Sequence, residues 1–421
     1  MAAEFFTLEA VPARYGDCLL LHFGTAAAPG LALIDGGPSQ VWGPFLKPRL
    51  KALRDKRGAG FAIDLVMVSH IDDDHVLGIT DMMAAWRSEA TAGRPWPFPV
   101  GAAWFNSFER LSNAKDIHAV TASVTASFSA TGLEDIDVDD PAIVNPNKKD
   151  ARAGLEVLAS VTNGKQLRDD LEALHVPLNP GFKGKLVRPG EGPSVPAKFG
   201  KALTIHVVGP LAEQLDDLQK KFAQDLKPEQ ALAAYTDTSV PNLSSIVALV
   251  RYKDKSILLT GDARGDYIIE GLEKEGLLTG GKLHVDILKM PHHGSDRDVD
   301  PSFFDTITAD HYVASADGTY SNPDRATIEM LTERRGKDAL YTLHLTYPLP
   351  EIDERRKGEW EKDRQSAIKK GKPPGRPWDA ETDSLGALFK SRWDAGYKFK
   401  LSAPTAAGPS NKIELLAPIP F

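Results

Sequence analysis

Ile63-Asp64-Leu65-Val66-Met67-Val68 runs directly into Ser69-His70-Ile71-Asp72-Asp73-Asp74-His75. The first six residues are mostly apolar and β-branched, as in a buried strand, so two imidazoles and three carboxylates collect where that strand ends. Open α/β sheets place their chemistry at such ends. His70 and Asp72, two apart, share one side of an extended segment, whereas the adjacent Asp74 and His75 diverge. That spread suits two neighbouring cations better than one. Three successive aspartates also repel one another unless solvent or cations neutralise them, so a solvated acidic turn capping the next helix is the competing reading.

Two further strand ends carry the same residue types. Lys255-Ser256-Ile257-Leu258-Leu259-Thr260-Gly261-Asp262 follows Pro241 to Tyr252 across Lys253-Asp254, which reads as a hairpin ending in an aspartate. Val285 to Met290 then leads into Pro291-His292-His293-Gly294-Ser295. Agreement among three such termini is stronger than any one of them.

Ser-His-x-Asp-x-Asp-His at 69–75 resembles the His-x-His-x-Asp-His signature of the metallo-β-lactamase superfamily, in the variant with aspartate in place of the second histidine. That variant is similar to the hydrolase domain of the competence protein ComEC and its relatives. Tyr15-Gly16-Asp17, Ile34-Asp35-Gly36-Gly37, Asn242-Leu243-Ser244-Ser245, Leu259-Thr260-Gly261-Asp262 and Pro291 to Ser295 occur in the family's order. The resemblance covers roughly residues 4–86 and 200–335. It implies an α/β fold, the four-layer αβ/βα sandwich, with a large inserted segment. It also implies a dinuclear centre held by His70, Asp72, Asp74, His75, Asp262 and His293. His292 is expected to face the substrate, with catalytic roles for Asp74 and His292. Asn242, Ser244, Ser295 and Asn322 are candidate substrate contacts. Where the family often has His-Pro, this chain has Asn322-Pro323, which removes an acid from that position.

The implied cofactors are two divalent ions, zinc or manganese, with magnesium as a further candidate, because fewer imidazoles and more carboxylates favour harder ions. The implied reaction is hydrolysis of a phosphodiester, in a small molecule or a nucleic acid. Two alternatives are a non-catalytic or partner-activated protein on the same fold, of a defence or toxin type, and hydrolysis of a non-phosphate ester or amide.

The rest of the chain sets bounds. Its 421 residues, 42% hydrophobic and 26% charged, suffice for one elaborated domain. A net charge of -8 gives no global basic footprint for nucleic acid. One cysteine, Cys18, excludes a disulfide framework and a thiolate zinc site, which points to the cytoplasm, and its apolar surroundings mark it as a core thiol. No leader or membrane span is expected.

Residues 4–12, 17–23 and 31–35 read as strands of a meander, 44–57 as a basic amphipathic helix, 76–86 as a helix and 100–106 as a strand. Residues 108–200 read as an insertion, a lid or a homodimer interface, with a helix over 164–174 and a Pro/Gly-rich stretch over 177–196. Strand and helix follow at 203–210 and 211–222. His206, inside that strand, reads as a satisfied histidine rather than a ligand. The C-terminal elaboration, 345–421, reads as an exposed excursion over 350–380 followed by edge strands near 397–401 and 412–416.

Overall fold

The computed structural model describes residues 3–107, 162–182, 186–190, 197–199, 203–215, 241–406, 408 and 410–421. The first sheet opens with β1 (Glu4–Ala10), β2 (Leu19–Thr25) and β3 (Ala28–Ile34), paired antiparallel. β4 (Leu65–Met67) and the two-residue β5 (Ala103–Trp104) add to it in parallel, much shorter than the apolar runs around them suggest.

The second sheet begins with β6 (Ala197–Phe199), β7 (Leu203–Gly209), β8 (Val247–Tyr252) and β9 (Lys255–Leu259). It continues through β10 (Leu283–Lys289), β11 (Ile307–Ala314), β12 (Thr342–Leu345) and β13 (Lys400–Ser402), all running parallel from β9 onward. β14 (Asn411–Glu414) returns to pair with β1. The strand orders are β14-β1-β2-β3-β4-β5 and β13-β12-β11-β10-β9-β8-β7-β6.

Side-chain alternation assembles the layers. In β2 and β3, Leu19, Leu21, Phe23, Ala32 and Ile34 pack toward Ile205, Ala248, Val250, Ile257 and Leu259 of the other sheet. Their neighbours Leu20, Leu31 and Leu33 face the opposite way, onto Leu50 and Leu53 of α1 (Lys47–Arg57) and Val76, Ile79 and Met82 of α2 (Asp73–Thr91). In β9 the alternate residue Leu258 faces outward, onto Ile268 and Leu272 of α3 (Gly265–Lys274) and Ile328 and Leu331 of α4 (Arg325–Arg335). Period-two strands sandwiched between helix faces give the αβ/βα order of the metallo-β-lactamase fold.

Three features depart from the sequence reading. Residues 349–369, expected as an exposed excursion, form one 21-residue helix, α5 (Leu349–Lys369). Its charge supports it through ion pairs such as Arg355–Glu351, while Ile352 and Arg356 are buried. β12 and the helix Leu385–Asp394, α6, carry no turn signal strong enough to be read beforehand; both are held by tertiary packing. The two last strands close edges of different sheets. Of the 108–200 segment, a helix at 162–173 is seen and its Leu167 and Leu171 join the core beneath α2. Residues 183–185 and 191–196 of the Pro/Gly-rich stretch, residues 216–222 of the helix expected over 211–222, and all of 108–161, with its Ser/Thr/Ala-rich segment 121–132 and acidic patch 134–140, lie outside the described residues, as does any lid or interface they form. Among the described residues no helix is long and apolar enough to cross a membrane.

Candidate metal centre

Four strand ends meet at one rim. β4 stops at Met67, and Ser69 and His70 extend it before the chain turns at Asp72 into α2, so Asp73 and Asp74 occupy the helix's first turn. Acidic residues are stabilised there by the helix dipole. Two close approaches bring α2 into place. A Cβ on Gly78 would lie 1.9 Å from the Gly36 carbonyl oxygen, and one on Gly16 would lie 1.9 Å from that of Asp74. Glycine at both positions lets the loops after β1 and β3 touch the helix. Gly261 turns at φ +51° to bring Asp262 in from β9, and His292 and His293 both adopt left-handed backbone (φ +46° and +57°) after β10. Consecutive non-glycine residues in that region are costly and cluster at functional sites.

The donor atoms converge. His75 Nε2 lies 3.2 Å from His293 Nε2 and 3.1 Å from Asp262 Oδ1. His293 Nε2 is 3.3 Å from Asp74 Oδ2 and 3.4 Å from Asp262 Oδ2. Two groups could each hold an ion: Asp17, His75, Asp262 and His293, and alongside them His70, Asp74 and His75. Of the ligands expected from sequence, these groups bring together His70, Asp74, His75, Asp262 and His293. Asp72 falls outside both; its carboxylate is 3.5 Å from His70 Nε2 and partly exposed.

Behind the cluster sits Asp35, whose carboxylate accepts from the Ser69 backbone N–H (2.7 Å) and hydroxyl (2.8 Å) and lies 2.9 Å from His75 Nδ1. A carboxylate on Nδ1 fixes the ring so that Nε2 points into the cluster, the arrangement typical behind metal-ligating histidines. His292 is the more open of the histidine pair, with its Nδ1 against Asp298 and its Nε2 3.5 Å from Asp262; His293 is buried.

The electrostatics point to a missing positive charge. Burial works to lower the imidazoles of His75 and His293, yet the Asp262 carboxylate, helped by Asp74 and Asp35 around His75 and by Asp17 around His293, holds both well above the ordinary histidine value. Burial works to raise Asp262, and the surrounding imidazoles keep it well below the usual carboxylate range. Protons on the rings would balance the carboxylates, a task divalent cations perform directly. His70 Nε2 and Asp262 Oδ1 are buried without a hydrogen-bond partner. Buried polar atoms are ordinarily satisfied, so these two orphans fit a ligand role.

The residues expected to contact substrate stand on turns hydrogen-bonded to the loops that carry the cluster. Asn242 and Ser244 lie in a turn (Pro241–Ser244) tied down by Ile246 N–H donating to the Ser69 carbonyl, and Asn242 Oδ1 is buried with no hydrogen-bond partner. Ser295 closes the histidine turn through its N–H to the His292 carbonyl, and Asn322 stands on a loop joined to it by the Asp324 N–H on the Gly294 carbonyl. His206 Nε2 lies 2.7 Å from a Glu275 carboxylate oxygen, away from the cluster. Sequence reasoning did not assign roles to Asp17, Asp35 or Lys289. Asp35 before two glycines and a lysine ending an apolar strand were the available signals.

Residues 17–164 match the family described as Metallo-beta-lactamase superfamily. The matched stretch includes Asp17, Asp35, His70, Asp74 and His75; Asp262 and His293 lie beyond it. A solved structure titled as the crystal structure of hydrolase AbOPH in the beta lactamase superfamily is similar over 62% of this chain and 74% of its own, at 14% identity and a TM-score of 0.28. That likeness is too loose to bear on fold or function. No curated protein matches the chain.

Proposed function

We propose that this chain is a metal-dependent hydrolase acting on phosphodiesters, in small molecules or nucleic acid. The observation that carries the reading is the buried convergence of His75 Nε2, His293 Nε2, Asp262 and Asp74, beside an unsatisfied His70 Nε2. His70, Asp74, His75, Asp262 and His293 would hold two divalent ions, with Asp72 as a further carboxylate from the open side. The oxygen-rich set favours manganese or magnesium alongside zinc. Bound there, such ions supply Lewis acidity for activating water and for neutralising charge at phosphorus.

The residues divide the remaining work. Asp35 and Ser69 keep His75 in one tautomer and orientation. Asp74, at the start of α2, presents its carboxylate to the cluster, 3.3 Å from His293 Nε2. His292 is held through Nδ1 by Asp298, so its Nε2 is the atom left to place a proton or hydrogen bond at the leaving oxygen. Asn242 Oδ1 and the Asn322 loop border the space a substrate would enter.

The test is hydrolysis of bis(p-nitrophenyl) phosphate and a single-stranded oligonucleotide by the full chain supplied with manganese or zinc, against a β-lactam and a thioester. Phosphodiester turnover that disappears in Asp74→Ala, with circular dichroism unchanged, supports the reading. Turnover of only the β-lactam or thioester, or activity untouched by Asp74→Ala, overturns it.

A further inference from the structure

Lys289, the last residue of β10, has a side chain only 1% exposed and sits behind the cluster. Its ammonium lies 2.5 Å from Asp17 Oδ2, 3.4 Å from the Gly261 carbonyl oxygen and 4.0 Å from Asp262 Oδ1. A buried lysine stays charged only where partners offset its desolvation, and here the main partner is Asp17. The other Asp17 oxygen accepts from the Ser315 hydroxyl and faces His293 Nδ1 at 3.5 Å. Both Asp17 oxygens are therefore engaged. Asp262 differs, since its Oδ1 faces the cluster's own His75 Nε2 at 3.1 Å.

Resting on the reading of this cluster as a metal centre, we propose that Lys289 is a positioning residue that withholds Asp17 from coordination and lowers the centre's affinity for cations. Paired with Lys289, Asp17 serves as the acceptor behind His293, aiming Nε2 into the cluster as Asp35 does for His75. The same ammonium places a positive charge 4.0 Å from Asp262, partly offsetting the buried carboxylates. The centre thereby keeps cations exchangeable despite its many acidic groups.

The two members of this pair should act in opposite directions on cation binding. Zinc affinity is measured by chelator competition on the metal-depleted full chain. Lys289→Met removes the opposing charge and frees Asp17, so zinc should bind about tenfold more tightly; Asp17→Asn leaves the ammonium unopposed and should weaken binding about tenfold or more, the scale seen for groups behind metal ligands. The double variant should return toward the unmodified protein. An ion pair that only supports the fold predicts lower melting temperatures for both single variants and no opposite movement in affinity.

Zinc binding by the unmodified chain with unchanged or weaker binding in Lys289→Met overturns the inference alone. No zinc binding by the unmodified chain overturns the metal-centre reading, and the inference with it. Should Lys289→Met fail to fold, Asp17→Asn against the double variant decides: tighter binding in the double supports the inference, and equal or weaker binding contradicts it.

Discussion

Two buried groups of carboxylates and imidazoles stand in this protein, one within the first sheet and α1 and one where both sheets meet, and they are built differently. In the first, Glu9 on β1 accepts two hydrogen bonds from Arg49 of α1, at 2.6 and 2.8 Å, and lies 2.8 Å from His22 Nε2 on β2. One carboxylate faces one guanidinium, so charge is balanced within the fold. In the second, Asp17, Asp35, Asp74 and Asp262 crowd around His75 and His293 with Lys289 as the one permanent cation facing them among the described residues. Residue type does not separate the two groups, because each holds buried histidine and carboxylate, with only Asp74 of the second group partly exposed. What separates them is that the first group balances one carboxylate with one guanidinium, whereas the second sets one ammonium against four carboxylates.

The comparison can be broken most sharply at Asp262. Asp262→Asn should remove cation binding and lower phosphodiester turnover by about a thousandfold or more, since it strips charge stabilisation from the centre. Steady-state kinetics with metal analysis checks this, and retained turnover would place the chemistry elsewhere. Glu9→Gln should do the reverse, costing roughly 3–5 kcal/mol of stability by stranding Arg49. Denaturant unfolding reads that loss, while turnover per folded molecule stays unchanged.

The same contrast has a pH form. Burial works to raise the Glu9 carboxyl, but His22 and Arg49 outweigh it and hold the group far below its ordinary 4.5. A depressed carboxyl contributes stability that is complete above the unfolded value and is lost as pH falls through and below it. Unfolding measured at descending pH should therefore steepen below about pH 4.5, and Glu9→Gln should flatten that limb. A smaller effect is expected from Gly78→Ala. Its Cβ would meet the Gly36 carbonyl oxygen at 1.9 Å, pushing α2 outward and costing about 1–3 kcal/mol, with weaker cation binding as Asp74 and His75 shift. Equal stability and affinity in that variant would show that the close approach does not position the site.

How much of this was legible in the sequence follows the same division. The strands of the two sheets announced themselves through period-two apolar runs ending in Gly, Pro or Asp, and the imidazoles and carboxylates at those ends could be quoted in order. The layers were legible for that reason. Asp17, Lys289 and Ser315 were not, because their meaning lies in a meeting of β1's following loop with the ends of β10 and β11, some 270 to 300 residues away in the chain. Glu9, His22 and Arg49 looked like an ordinary strand and helix face for the same reason. The expected exposure of 350–380 holds, with only Ile352 and Arg356 buried; the helix α5 itself went unread because a run dense in Lys, Arg and Glu shows almost no apolar face.

The central claim is that the second group is short of positive charge because it holds divalent cations. Elemental analysis of the full chain, purified without chelators after growth with zinc and manganese available, tests it most directly. The account predicts about two ions per chain, lost in Asp262→Asn and kept in Glu9→Gln. Near-zero metal, persisting after reconstitution with zinc, manganese and magnesium, would contradict it.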